Sequence, residues 1–425
     1  MGLLDKLKNA LFEVEYVEVE EPPKKEKKVK EKAEKPIAKK IVLPGKREDK
    51  IEELQEEELR DEDFEIRPKE EVKEQPHEEF KFMDDEDFKI EDDYVPEEPE
   101  ILQVLDESEE VLNEKKEEMK QVITEAQLNE IKNLVRSDEI FMNEPMKKHT
   151  TMRIGGPAEV FLKPRAVEIE KLLDYLAKEQ IKTFILGNGS DLLVTDEGLS
   201  GVVVSTRSMN SINVNEGTGV VTADAGVSLG KIANAAKNAS LAGFEFAAGI
   251  PGSLGGGVFM NAGAYGGEMK HVVKSVKYFD PENGVQTVSG DEADFGYRHS
   301  IFSENPSFVI LSAEIQLERG NFEEIDALQK DLMNRRIEKQ PLEYASAGST
   351  FKRPEGYFAG KLIQDAGLMG YHVGDAEVST KHAGFCINKG NATYADMKAL
   401  IDHVIETVKA DSGVTLTPEV RIIGE

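Results

Sequence analysis

Apolar positions are spaced differently in the two parts of this chain. From residue 121 onward they follow helix and strand periods. Leu128, Ile131, Leu134 and Val135 share one side of a predicted helix, 160–162 and 183–186 read as buried strands, and 166–180 reads as a helix between them. A strand is expected at 192–194. Farther on, 321–337, 357–366 and 393–411 predict helices and 385–387 a strand. This mixture predicts an α+β protein. Before residue 121 only the first twelve positions are periodic: Leu3, Leu4, Leu7, Ala10 and Leu11 fall on one face, flanked by Lys6 and Lys8. Residues 1–14 read either as an amphipathic helix that meets a membrane surface or a cell-envelope protein, or as a frayed end with no target. A helix this short is marginal alone.

Charge sharpens the division. The chain has 425 residues and a net charge of −30. Residues 1–120 hold 42 of the 83 acidic and 23 of the 53 basic residues, and only two of the 35 glycines, Gly2 and Gly45. So little apolar surface cannot offset the ordering entropy of the backbone, about 1–2 kcal/mol per residue. Residues 15–120 are therefore expected to be an acidic, mostly disordered tether, and 121–320 and 321–425 two folded domains. The acidic balance argues against nucleic acid as a partner. Cys386 is the single cysteine, which fits a reducing compartment. No cleavable signal peptide is expected, and no apolar run approaches the ~20 residues that span a bilayer. The expectation is a cytoplasmic protein, with peripheral attachment through residues 1–14 as the open alternative. No His, Cys and carboxylate set has metal-ligand spacing, so no metal is expected.

Two glycine-rich stretches carry candidate chemistry. The strand 183–186 runs into Gly187-Asn-Gly-Ser-Asp191, a turn that presents backbone N–H groups to an anion. The second, from Phe246 to Ala264, has six glycines and one proline in nineteen residues. Such a run is expected to form little regular structure and to offer backbone to a flat ligand. Two such loops suggest a dinucleotide, although neither matches the Rossmann fingerprint.

The ordered set of motifs resembles the UDP-N-acetylenolpyruvoylglucosamine reductase family. It comprises His149-Thr-Thr-Met-Arg-Ile-Gly-Gly156, Leu186-Gly-Asn-Gly-Ser-Asp-Leu-Leu-Val194, Gly249-Ile-Pro-Gly-Ser-Leu-Gly-Gly256, Gly296-Tyr-Arg-His-Ser-Ile-Phe302, Ala347-Gly-Ser-Thr-Phe-Lys-Arg-Pro354, Ala359-Gly-Lys-Leu-Ile363, Lys381-His-Ala-Gly-Phe385 and Pro418-Glu-Val-Arg421. The resemblance covers residues 125–425 and leaves the extension outside. It implies a vanillyl-alcohol-oxidase-type FAD-binding domain followed by an α+β substrate-binding domain. The short interval between Arg298 and Ser349 matches the subtype without an added tyrosine-bearing substrate loop. Asp191 stands where the family often has asparagine. A carboxylate is unexpected beside a pyrophosphate, so its side chain is expected to face away or to meet a backbone N–H.

What the resemblance implies for chemistry is reduction of the enolpyruvyl ether of a UDP-linked amino sugar. NADPH reduces FAD, and the flavin N5 then delivers hydride to the substrate. The implied FAD contacts are Gly187, Asn188, Gly189, Ser190, Asp191, Gly249, Ile250, Pro251, Gly252, Ser253, Gly255, Gly256 and Asn261. FAD is expected to be noncovalent, because neither loop holds a His or Cys. Arg298 suits a substrate carboxylate through its forked donors. Glu419 is expected beside that carboxylate, where it helps only if protonated or hydrogen-bonded. Ser349 is the implied proton donor. Lys352, Arg353 and Lys361 are candidates for the substrate diphosphate, while His299 and His382 read as structural hydrogen-bonders. Two other readings stay open at this level: a flavoprotein oxidase of the same fold, and an assembly protein whose reductase module is vestigial.

Overall fold

The structure, a computed structural model, describes residues 123–424. The expectations for 1–14 and for 15–120 lie outside these residues. The first helix, Glu125–Leu134, begins at Thr124, whose side chain accepts from the Gln127 N–H while the Gln127 side chain accepts from the Thr124 N–H. This reciprocal cap satisfies two otherwise unpaired donors.

A four-stranded sheet follows, in the order Ile140–Pro145, Pro157–Leu162, Leu199–Ser205 and Thr183–Leu186. Its first pair is antiparallel and the others are parallel. The helix Ala166–Lys178 buries Ile169, Leu172, Leu173 and Leu176, spaced by three or four residues, in a core shared with Val160, Val202 and Val204. A second sheet is wholly antiparallel, in the order Gly284–Ser289, Val273–Asp280, Val309–Gln316, Val220–Asp224 and Ile212–Asn215. The helices Leu229–Asn238 and Leu254–Phe259 pack into the same core as this sheet, with Phe244, Phe246 and Phe302. A short antiparallel sheet and the helix Tyr394–Ser412 enclose a third core, which also takes in Met152, Ile154 and Leu193 from the first half.

Two placements depart from the sequence reading. The glycine-rich run contains the helix Leu254–Phe259 despite Gly255, Gly256 and Gly257. Ser253 caps it, Leu254 and Val258 are buried, and the bare Gly255 and Gly257 let it settle on Ala225 and Leu229. Tertiary packing overrides the poor helix propensity of glycine. The helix Phe322–Lys339, read from sequence as part of the C-terminal domain, joins the first half. Gln329 donates to the Ala233 carbonyl, and Asp326 pairs with Lys237 at 2.9 Å.

The chain ends by returning to its beginning. Arg421–Ile423 pairs in parallel with Leu192–Val194, the strand that leaves the first glycine turn. This pairing positions the candidate site.

Candidate active site

The strand Thr183–Leu186 ends at the first glycine turn, and the second glycine loop faces it. A cleft between them is lined by Gly187, Asn188, Gly189, Ser190 and Asp191 on one wall and by Ile250, Gly252, Ser253, Gly255 and Gly256 on the other. Leu229, Phe259, Met260 and Phe308 add apolar surface, and Arg421 adds a cation. The walls touch where a Cβ has no room: one built on Gly187 would lie 2.3 Å from Ser253 Oγ. Gly189 has φ +64°, and its Cβ would lie 2.1 Å from the His149 carbonyl oxygen. The Asn188 amide donates to the Pro251 carbonyl at 2.9 Å, and Arg207 donates to the Asn188 carbonyl at 3.1 Å. A cleft with bare backbone, apolar sides and cations nearby fits FAD, which has a flat ring system and a diphosphate.

Beside this cleft the structure assembles a charged cluster from distant segments. Arg298 Nε donates to Glu419 Oε1 at 2.6 Å, so Glu419 meets Arg298 rather than its near neighbour Arg421. Arg298 adopts φ +54°. Burial works against its charge, but the Glu419 carboxylate outweighs that and holds the guanidinium above its ordinary value. Glu419 is fixed through its backbone. Its N–H donates to the Thr350 carbonyl at 2.8 Å, while the Thr350 N–H donates to Gly384 and Thr350 Oγ1 accepts from Cys386. Ser349, which is exposed, directly precedes this buried threonine and follows Gly348 at φ +76°. The turn Gly296–His299, the segment 349–351 and the segment 418–419 are thereby gathered at one place.

Asp191 joins cluster and cleft. Its carbonyl accepts from the Arg421 N–H at 3.0 Å. Asp191 is among the residues that line the cleft. Burial pushes its carboxyl up to about 8; Glu419 adds to the rise, and Arg421, Arg298 and Lys352 oppose it.

Other anticipated residues have different surroundings. Asn261 is absent from the cleft lining and is 1% exposed. Its amide nitrogen donates to Glu268 and to the Gly296 carbonyl, and its oxygen accepts from the Lys270 N–H. It thus supports the turn that carries Arg298. Gly249 packs on Arg336, and Pro251 contributes the carbonyl that Asn188 uses. Lys352 is near enough to act on Asp191. Arg353 stacks over Phe358 at 4.0 Å, its N–H donates to the Tyr297 hydroxyl, and Tyr297 in turn lies against the Arg298 guanidinium. Lys361 is taken up by Asp365. His382 accepts from the Gly384 N–H.

Sequence reasoning missed Arg421 as a cleft group and Arg207 as a partner of the first glycine turn. Arg421 lies 4.6 Å from the Phe259 ring centroid, and burial lowers its pKa against the pull of Asp191. A signal was available for Arg421, since Glu419 and Arg421 are two apart in an extended segment and share a side. Among the described residues, Asp294, His299 and Glu304 bring possible metal-ligand atoms within 4.8 Å of one another, a grouping their spacing does not announce. Both carboxylates are exposed.

Residues 158–289 match a family of FAD binding domains. Residues 340–423 match the C-terminal domain of UDP-N-acetylenolpyruvoylglucosamine reductase. A reductase of that name from Caldanaerobacter subterraneus subsp. tengcongensis is 51% identical over 304 residues, covering 71% of this chain and all of the relative. The one from Clostridioides difficile is 48% identical, covering 69% of this chain and 96% of the relative. Among solved structures, UDP-N-acetylenolpyruvylglucosamine reductase from Thermus caldophilus superposes with a TM-score of 0.57 at 31% identity. That match covers 67% of this chain and 98% of the other.

Proposed function

The chain belongs to the UDP-N-acetylenolpyruvoylglucosamine reductase family, and on that premise we propose that Arg298, Glu419 and Ser349 carry its chemistry at the mouth of the glycine-lined cleft. The protein is an FAD-dependent oxidoreductase. It reduces the enolpyruvyl ether of UDP-N-acetylglucosamine to UDP-N-acetylmuramate with NADPH, a step of peptidoglycan precursor synthesis. FAD, once bound and reduced, supplies the hydride.

Gly187, Asn188, Gly189, Ser190, Ile250, Gly252, Ser253, Gly255 and Gly256 hold FAD through backbone approach and the N–H groups of the turns. Arg298 takes the substrate carboxylate and stabilises the negative charge that grows there as the double bond is reduced. Glu419 keeps the Arg298 guanidinium oriented. Ser349 gives its hydroxyl proton to the carbon next to the carboxylate. A serine is a weak acid, so this works only if that carbon becomes strongly basic as it gains charge. Lys352 and Arg353 receive the substrate diphosphate. Lys361, held by Asp365, is the weaker candidate.

The observation that carries this reading is the Arg298–Glu419 pair, joined to the cleft by the Arg421 N–H bond to Asp191. Ser349→Ala tests it. NADPH should still reduce the bound flavin at nearly the wild-type rate, whereas reoxidation by the enolpyruvyl nucleotide should slow about 10²–10⁴-fold. Reoxidation at the wild-type rate removes Ser349 from the role.

No helix among the described residues is long and apolar enough to cross a membrane. We place the enzyme in the cytoplasm, where NADPH and nucleotide sugars are available, with residues 1–14 attaching it to a membrane surface or a cell-envelope protein. The uneven charge and the leucine face of the tip support this reading.

A further inference from the structure

Three side chains around the turn that presents Arg298 have no part in the chemistry above. Asp294 precedes the turn, His299 closes it, and Glu304 ends the short helix Ile301–Glu304 that follows. One possible ligand atom from each lies within 4.8 Å of the other two. His299 Nε2 is 3.6 Å from Asp294 Oδ2 and 3.7 Å from Glu304 Oε1. Both separations are too long for a hydrogen bond. They are close to the spacing of ligands around one ion, since bonds of ~2.0–2.2 Å set tetrahedral neighbours ~3.3–3.6 Å apart. Both carboxylates are exposed, so side-chain rotation can close the remaining gap.

The backbone beneath these groups is less free. Gly296 and His299 exchange N–H to carbonyl bonds at 3.1 and 3.3 Å, and the Asn261 amide donates to the Gly296 carbonyl. The His299 ring packs on Gly296, where a Cβ would lie 3.4 Å from its Cδ2. Asp294 adopts φ +48°, a conformation that aspartate and asparagine accept more readily than most residues. The chemistry of the set is selective. Two carboxylates balance a divalent charge, and an imidazole suits zinc, nickel, copper or iron, whereas magnesium and calcium prefer oxygen alone.

We propose that Asp294, His299 and Glu304 bind one divalent ion of the zinc class, and that this ion braces the turn Gly296–His299. Its ligands come from both sides of Arg298, so it ties together the segments entering and leaving the turn. The inference deepens the reading that Arg298 takes the substrate carboxylate, and its effect on substrate rests on that reading. A braced turn holds Arg298 in place before the substrate arrives, which lowers the ordering cost of binding.

The test begins with calorimetric titration of the chelator-free holoenzyme with Zn²⁺, and with Mg²⁺ for comparison. Wild type should bind one Zn²⁺ that Asp294→Asn, His299→Gln and Glu304→Gln each weaken about tenfold or more, since loss of a mere supporting contact to a ligand costs that much. Asparagine keeps the backbone conformation at 294, and the change at 304 is isosteric and exposed. Equal zinc affinity in wild type and all three variants, or Mg²⁺ bound there as tightly as Zn²⁺, overturns the site. In hydrogen exchange the Gly296 and His299 amides should be protected several-fold by Zn²⁺ in wild type and not in His299→Gln. Zinc bound without added protection overturns the bracing. A third measurement separates the site from the role of Arg298. In oxidised enzyme without NADPH, Zn²⁺ should tighten the enolpyruvyl nucleotide about fivefold, read from flavin absorbance, and the nucleotide should tighten Zn²⁺ by the same factor. His299→Gln should lose this coupling, which controls for zinc held by the nucleotide itself. Binding and protection without coupling leave the metal site standing and count against Arg298 as the partner of the substrate carboxylate.

Discussion

Asn261→Ala would remove three hydrogen bonds from a fully buried side chain. Two are neutral, to the Gly296 carbonyl at 2.8 Å and from the Lys270 N–H at 2.9 Å. The third goes to the Glu268 carboxylate at 2.9 Å. At about 1 kcal/mol for each neutral bond and about 2 for the charged one, the loss is about 4 kcal/mol. Asn261 also adopts φ +46°, which an alanine tolerates poorly, adding about 1 kcal/mol. The expected destabilisation is therefore about 5 kcal/mol, readable in urea unfolding at saturating FAD. Asn261→Gly, which loses the amide but keeps the backbone freedom, should recover about 1 kcal/mol of it. Because the Gly296 carbonyl belongs to the turn that presents Arg298, KM for the enolpyruvyl nucleotide should rise while flavin reduction by NADPH stays near wild type. A variant within about 1 kcal/mol of wild-type stability that binds FAD tenfold more weakly would refute this reasoning and make Asn261 a cofactor ligand.

Three further outcomes follow from particular contacts. Gly187→Ala puts a methyl 2.3 Å from Ser253 Oγ, so FAD affinity should fall at least tenfold, and a holoprotein of unchanged affinity by fluorescence titration would contradict the cleft assignment. The Asp191 carboxyl is raised in the folded state, so the stability it contributes is full below about pH 4 and is lost as pH rises through about 8. Asp191→Asn should accordingly gain on wild type across that window by on the order of 1–5 kcal/mol in thermal unfolding; a constant difference between the two would show that the group does not titrate there. Deleting residues 1–120 should leave kcat and KM unchanged and abolish co-sedimentation with anionic vesicles, whereas loss of activity in dilute solution would give the extension a part in catalysis.

Much of this protein was legible from residue order. Apolar periodicity located the helices Ala166–Lys178 and Tyr394–Ser412 and the strand Thr183–Leu186 to within a few residues, because each buries one face and the spacing records it. Both glycine loops were visible as well, since close backbone approach demands bare residues at Gly187 and Gly189. Other features depend on neighbours that periodicity does not encode. Gly255 to Gly257 form a helix because Ala225 and Leu229 lie against them, and the helix Phe322–Lys339 joins the first half because Ala233 and Lys237 offer it partners. Asn261 supports a turn rather than lining the cleft, since its partners lie 7, 9 and 35 positions farther along the sequence. The sequence alone thus determined the elements, the two loops and the family pattern. Only the tertiary structure brought Arg298 to Glu419 across 121 positions and set Asp191 within electrostatic reach of both. Pairing and burial are properties of distance and solvent exclusion, and those arise when the last strand folds back beside Leu192–Val194.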